Sequence, residues 1–134
     1  MGIWHWERVD KPWKDPENTT SVFALNPWRG HLYLGTRNLI NGGEALRSAD
    51  GFHWQSIAPQ GFGRASNRDL YGFVGFKDML YAGTYNAVLG DRHTESDTGA
   101  EIWRSPNGSD WEPVVQDGFG DRQNQDMFNF AAFA

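Results

Sequence analysis

The sequence contains no cysteine. That excludes disulfides and thiolate chemistry, and it fits a reducing compartment. No apolar run approaches the roughly 18–20 residues that a membrane-spanning helix needs. Basic residues are the minority: 12 Lys and Arg stand against 17 Asp and Glu, a net charge of -5. A broad nucleic-acid or anionic-membrane surface is therefore not expected. The first residues, "MGIWHWER", lack the basic start and apolar stretch of a signal peptide. Trp6 stands where a myristoylation signal wants Ser or Thr. These absences make a cytoplasmic location the default and leave the compartment otherwise open. There is also no phosphate loop, no nucleophile elbow and no useful helical periodicity. His5, His31, His53 and His93 lack metal-ligand spacing. No cofactor and no metal are expected.

What the chain has in quantity is glycine and large aromatics: 16 Gly, 7 Trp and 9 Phe. That mixture favours many short strands joined by tight turns. It also contains a repeat. "LYLGTRN" at Leu32 returns as "LYAGTYN" at Leu80, 48 residues on. "EALRSADGFHW" at Glu44 returns as "EIWRSPNGSDW" at Glu101, 57 residues on. "DLYGFVGF" at Asp69 returns as "DMFNFAAF" at Asp126, again after 57. The change of period is a nine-residue insertion between Asn86 and Glu101.

Each unit reads as four strands. The first is Val22 to Leu25, Leu70 to Phe76 and Met127 to Phe133; the second is His31 to Thr36 and Met79 to Thr84. The third is Glu44 to Ser48 and Glu101 to Ser105; the fourth is Trp54 to Ile57, Trp111 to Val115 and Trp4 to Val9. Arg29-Gly30 and Lys77-Asp78 close one kind of hairpin. Asp50-Gly51 and Asn107-Gly108 close the other, as expected for type I′ turns. Tandem four-stranded antiparallel units of this length predict an all-β fold of propeller blades, with an elongated sandwich as the alternative. Residues 1–134 form one domain on this reading, with units at about 21–57 and 69–115, a leading strand at 4–9 and a trailing strand at 127–134. The small residues Gly72, Gly75, Asn129, Ala131 and Ala132 suit an innermost strand.

The hairpin residues resemble a known family. Ser48-Ala49-Asp50-Gly51-Phe52-His53-Trp54 and Ser105-Pro106-Asn107-Gly108-Ser109-Asp110-Trp111 look like Asp boxes, the Ser-x-Asp…Gly…Trp turns of sialidase-like bacterial β-propeller repeat proteins. Both are one residue shorter than the family's usual spacing, and the second has Asn for Asp. With the "LYxGTxN" strands, the resemblance covers most of the chain. It implies a structural role for Ser48, Asp50, Trp54, Ser105, Asn107 and Trp111: the acid ties the turn's own backbone and the aromatic packs between sheets. The arginine cluster, activated tyrosine and acid of sialidase catalysis match no motif in this chain, so enzymatic activity is not the favoured reading.

Ten strands amount to two and a half blades, whereas closed propellers have at least about four. The expectation is a partial propeller completed by oligomerisation, a homodimer before a homotrimer. Connections after the second and fourth strands are long and share one end of the units, where sites usually gather. Candidate ligand residues there are Trp13, Phe62 and Phe119, whose rings could stack on a sugar or plug the gap between blades. Arg37 with Asn38, and Tyr85 with Asn86, end the second strands; the Asn side chains are as well suited to capping the turn. The repeated pairs Glu44–Arg47 and Glu101–Arg104 read as bonds between blades. Asp91, His93, Glu95 and Asp97 in the insertion read as a solvated acidic loop, without the calcium-loop pattern. Function is thus expected to be a binding or assembly module for a glycan or another small polar ligand. The alternatives are a sialidase-like glycoside hydrolase and a propeller piece with no separate activity.

Overall fold

The structure, a computed structural model, describes residues 2–9, 11–88 and 96–133. Eight strands build it: β1 (Thr19–Trp28), β2 (His31–Asn38), β3 (Ala45–Ser48), β4 (Gln55–Ser56), β5 (Asn67–Phe76), β6 (Met79–Asn86), β7 (Ile102–Ser105) and β8 (Glu112–Val115). Every pairing is antiparallel. β1 to β4 pair in chain order, β5 to β8 do the same, and one bridge, Arg37 to Asp69, joins β2 to β5. The result is a single curled all-β sheet. A 3-10 turn at Gln60–Gly63 interrupts the link between the units, and no α-helix occurs among the described residues.

The two kinds of hairpin differ. Arg29-Gly30 and Lys77-Asp78 are two-residue turns with positive φ at both positions, 44° and 75° in the first, 45° and 64° in the second. They are the type I′ turns of the fold. At Asp50-Gly51 and Asn107-Gly108 only the glycines have positive φ. Here side chains hold a longer loop instead of a primed turn. Asp50 Oδ1 accepts from the Phe52 and His53 amides, each at 2.8 Å, and Ser48 Oγ accepts from the Gly51 amide at 2.8 Å. Asn107 Oδ1 and Ser105 Oγ repeat the pattern: Oδ1 accepts from the Ser109 and Asp110 amides at 2.9 and 2.8 Å, and Oγ from the Gly108 amide at 2.7 Å.

The core lies between the units. Tyr33, Ala45 and Ile57 from the first pack with Leu70, Phe73, Leu80 and Ala82 from the second, and Phe62 joins them from the link. Trp111 packs against this cluster, and its Nε1 donates across the junction to the Ile57 carbonyl at 3.1 Å. Trp54 does not do the same. It is half-buried, and its Nε1 returns to the Gly51 carbonyl of its own loop at 3.2 Å.

The junction itself recurs. The Gly43 amide donates to the Asn67 carbonyl at 3.0 Å, and the Ala100 amide, 57 residues on, donates to the Asn124 carbonyl at 2.7 Å. Arg37 bridges to Asp69 in the first case, and Tyr85 bridges to Asp126 in the second. Gly35 and Gly83 make the two crossings close: a Cβ would fall 2.1 Å from the Leu70 carbonyl oxygen in one and 2.6 Å from that of Met127 in the other. So 116–128 docks on the second unit as 59–71 docks on the first.

Two expected strands are not strands. Residues 4–9 carry no ladder, and Trp4 and Trp6 are 89% and 92% exposed. Residues 127–133 make one amide bond, Met127 to the Thr84 carbonyl at 3.1 Å, but no ladder; Ala134 lies outside the described residues. A strand needs a neighbour to accept and donate along its length; residues 127–130 lie against Gly72 of β5 and Gly83 of β6, but only the Met127 amide bonds there.

Candidate functional site

At the long-loop end, where β2 and β6 finish and β5 begins, a groove of about 570 Å³ opens between the second unit and the 123–126 segment. Arg37, Tyr71, Tyr85, Gln123, Asn124, Gln125 and Asp126 line it. Asp69 lies beneath two of these residues, bonded to Arg37 and Tyr71. This carboxylate is fully buried and accepts from Arg37 Nε at 2.8 Å and Nη2 at 2.6 Å. The Tyr71 hydroxyl donates to the same carboxylate. A two-pronged, hydrogen-bonded pair is what makes a buried charge tolerable. The pairing holds the Arg37 guanidinium firmly protonated. Burial, together with Asp69, pushes the Tyr71 phenol well above its ordinary pKa, so it stays a neutral donor.

Asp126 stands at the position of Asp69 one unit on, but without an arginine fork. Desolvation in the groove lifts its carboxyl above the ordinary range, and repulsion from Asp69 adds to the lift. Tyr85 takes the place that Arg37 holds one unit earlier, and burial raises its phenol too. The groove therefore joins one neutralised ion pair, two protonated tyrosines, three side-chain amides and one carboxyl held above its usual pKa. Phe23, Tyr71 and Phe128 continue it as an edge-to-face column, with centroids 4.9 and 5.1 Å apart.

Of the candidate ligand residues, the structure brings Arg37 and Tyr85 together here. Asn38 and Asn86 are fully buried and spent on structure. Asn38 Oδ1 accepts from the Ile40 and Asn41 amides at 3.0 and 2.8 Å. Asn86 Oδ1 accepts from Ser96 Oγ and the Asp97 and Thr98 amides at 2.8, 2.9 and 3.1 Å. Phe62 is 8% exposed and stacks on Trp103 at 4.7 Å with 10° between the planes, so it plugs the junction. Trp13 is half-buried beside Lys14, whose amide donates to Glu44 Oε1. Phe119 is 63% exposed, on a separate surface with Pro113 to Asp117. Sequence reasoning did not mark Tyr71, Asp69 or Gln123 to Asp126 as site residues; the signal was the "NRD" and "NQD" repeat at Asn67 and Asn124.

Of the residues expected to bond between blades, Arg47 does cross from the first unit to the second, donating to the Asn107 carbonyl at 3.4 Å; Glu44 and Arg47, and Glu101 and Arg104, do not bond to each other. Residues three apart on an extended chain point to opposite faces. Glu101 instead takes Arg64 Nε at 3.0 Å, and Arg104 takes Glu112 at 2.7 Å. A second groove, about 300 Å³, lies at the tight-turn end beside Asp50, His53 and Trp54. Its carboxylate is already committed to the turn and to His53 Nδ1 at 2.6 Å. Among the described residues, no group of three or more His, Asp or Glu is placed to hold a metal ion, and no helix is long and apolar enough to cross a membrane. Asp91, His93 and Glu95 lie outside the described residues; Asp97 accepts from Ser66 Oγ at 3.0 Å. Scans against protein-family models, curated proteins and solved structures find no match to this chain.

Proposed function

We propose that the two units are blades of a β-propeller and that the chain is a binding module for a neutral, hydroxyl-rich ligand such as a glycan, held in the Arg37–Tyr85–Asp126 groove. The groove carries this reading. Its volume is within the range of small-molecule sites. Its one cation, Arg37, is already paired with Asp69, so an anionic ligand gains little. Its amides and carboxyl offer both donors and acceptors, which hydroxyls need, and its tyrosines and the Phe23–Tyr71–Phe128 column offer faces for C–H surfaces. The propeller reading is supported by in-order pairing within each unit and by the recurring junction.

Nucleophilic catalysis of sialidase type draws no support from the groove. The Tyr71 hydroxyl does donate to a carboxylate, but the two-pronged bond from Arg37 already claims Asp69, which weakens it as a base, and burial disfavours the phenolate.

A glycan array probed with the whole chain tests the binding. Gln125→Ala and Asp126→Asn are expected to weaken any captured glycan at least about tenfold, or ~1.4 kcal/mol, while leaving the melt unchanged. Arg37 is the wrong residue to remove, since its loss strands Asp69 as a buried unpaired charge. Unchanged affinity in both variants, or binding that maps to the Asp50 turn, would reject the groove. Silence on the array and in a turnover screen would favour a propeller piece with no separate activity.

A further inference from the structure

We propose that Trp6 of a second copy of this chain seats on Phe119 and Val114, so that copies join through the contact that already joins the two units within one chain. The template is internal. Trp111 meets the Phe62 ring edge-on at 5.3 Å and donates its Nε1 to the Ile57 carbonyl at 3.1 Å. Under that cover Phe62 is 8% and Ile57 5% exposed.

The same socket occurs once more. Phe119 and Val114 follow Phe62 and Ile57 by 57 residues, in the same "GFG" and Trp-x-x-(Ile/Val) settings. There they are 63% and 48% exposed, beside a groove of about 420 Å³ lined also by Pro113, Val115 and Gln116. The socket is present and its tryptophan is not seated in it.

The matching tryptophan is also present. Trp6-Glu7-Arg8-Val9 repeats Trp111-Glu112-Pro113-Val114 in type and spacing. Trp6 is 92% exposed, and Ile3 and Trp4 beside it are 93% and 89% exposed. Three large apolar side chains this open on one short segment mark a contact surface. Trp54, the other repeat of this residue, is not a competitor, because its Nε1 is committed to its own loop. Plug and socket lie at different places on one chain, so each contact joins two unlike surfaces. Two copies exchanging plugs satisfy both sockets and close as a two-fold dimer. This inference stands apart from the ligand reading: it uses neither the groove nor its residues.

The test is the mass of the particle in solution, by light scattering across a micromolar concentration series. The parent is expected to dimerise. Trp6→Ala and Phe119→Ala each remove one half of the contact, and each is expected to weaken self-association about tenfold or more, the scale of a buried aromatic anchor. Both residues are exposed within one chain, so circular dichroism melts at concentrations where the parent is monomeric should match the parent. The deciding sample is a mixture of the two variants. One supplies an intact socket and the other an intact plug, so the mixture is expected to recover association that neither shows alone. A parent that stays monomeric, a dimer unaffected by Trp6→Ala, or a mixture that stays monomeric would each overturn the proposal. A monomeric parent whose Phe119 region is shielded only when Trp6 is present would place the plug in its own chain and would overturn it too.

Discussion

Glu44 and Glu101 show what one side chain can cost. They occupy the same place in the two units and both are fully buried. Glu101 receives Arg64 Nε at 3.0 Å, Asn67 Nδ2 at 2.8 Å and Trp103 Nε1 at 2.8 Å. The corresponding positions around Glu44 hold Pro16, Thr19 and Leu46, none with a matching donor. Glu44 Oε1 accepts from the Lys14 amide at 2.8 Å, but Oε2 has no partner. Burial accordingly raises the Glu44 carboxyl above its ordinary 4.5. A raised acid favours the fold while it is protonated; that contribution is full below the ordinary value and fades as pH climbs through the raised one. Glu44→Gln is therefore expected to stabilise the protein at neutral pH and to flatten the decline above pH 4.5. Glu101→Gln is expected to destabilise it by about 2 kcal/mol, because charge-assisted bonds are lost. Denaturant melts at several pH values check both, and equal signs at the two positions would contradict the account. Such differences are hard to see in the sequence, where both residues open the same "E-x-x-RS" phrase. The groove is legible only in part for the same reason. Arg37 and Tyr85 stand out as strand ends, but Asp69 and Tyr71 gain meaning only when packing brings a partner across from β2.

At the level of the element, the hairpin tryptophans separate local from tertiary stabilisation. Trp111 touches Phe62 and Phe73 and bonds across the junction, whereas Trp54 bonds only within its loop. Trp111→Ala is expected to cost about 3–5 kcal/mol, the range for a large aromatic removed from a core. Trp54→Ala is expected to cost about 1 kcal/mol, near the value of one hydrogen bond. Chemical denaturation of the two variants decides; similar losses would mean that the ring at 54 is covered in solution. The strands were readable in advance because repeats, alternation and turn residues agree. The eight inner elements lie within a few residues of expectation: Leu70–Phe76 lengthens to Asn67–Phe76, and Trp54–Ile57 shortens to Gln55–Ser56. The segments 4–9 and 127–133 carry the same strand-like residues yet form no ladder, since strand propensity acts only through a paired neighbour.

For the molecule as a whole, the recurring junction implies that the last docked segment and the groove are one device. The segment 123–126 supplies one wall of the groove and is held against the second unit by few backbone bonds: the Ala100 amide to the Asn124 carbonyl at 2.7 Å, the Asn86 amide to the Gln125 carbonyl at 2.8 Å and the Met127 amide to the Thr84 carbonyl at 3.1 Å, the last two forming the Tyr85–Asp126 bridge. Gly83 is what lets it approach. A Cβ there would meet the Met127 oxygen at 2.6 Å and the Phe130 ring at 2.8 Å. Gly35 makes the equivalent approach inside the two-unit sheet, where the clash would be with the Leu70 carbonyl at 2.1 Å. The two substitutions should therefore fail differently. Gly35→Ala forces the units apart and is expected to lower global stability by about 3 kcal/mol, at the severe end for overpacking. Gly83→Ala is expected to lift only the 125–130 segment, a local opening of the kind that lightly bonded segments undergo. Hydrogen exchange should then show the Asn86 and Met127 amides losing protection while the amides of β5 and β7 keep theirs, and ligand capture by the groove should fall in step. If Gly83→Ala leaves the Met127 amide as protected as in the parent, the segment is not held by this close approach, and the groove's outer wall must be fixed by something other than the repeat.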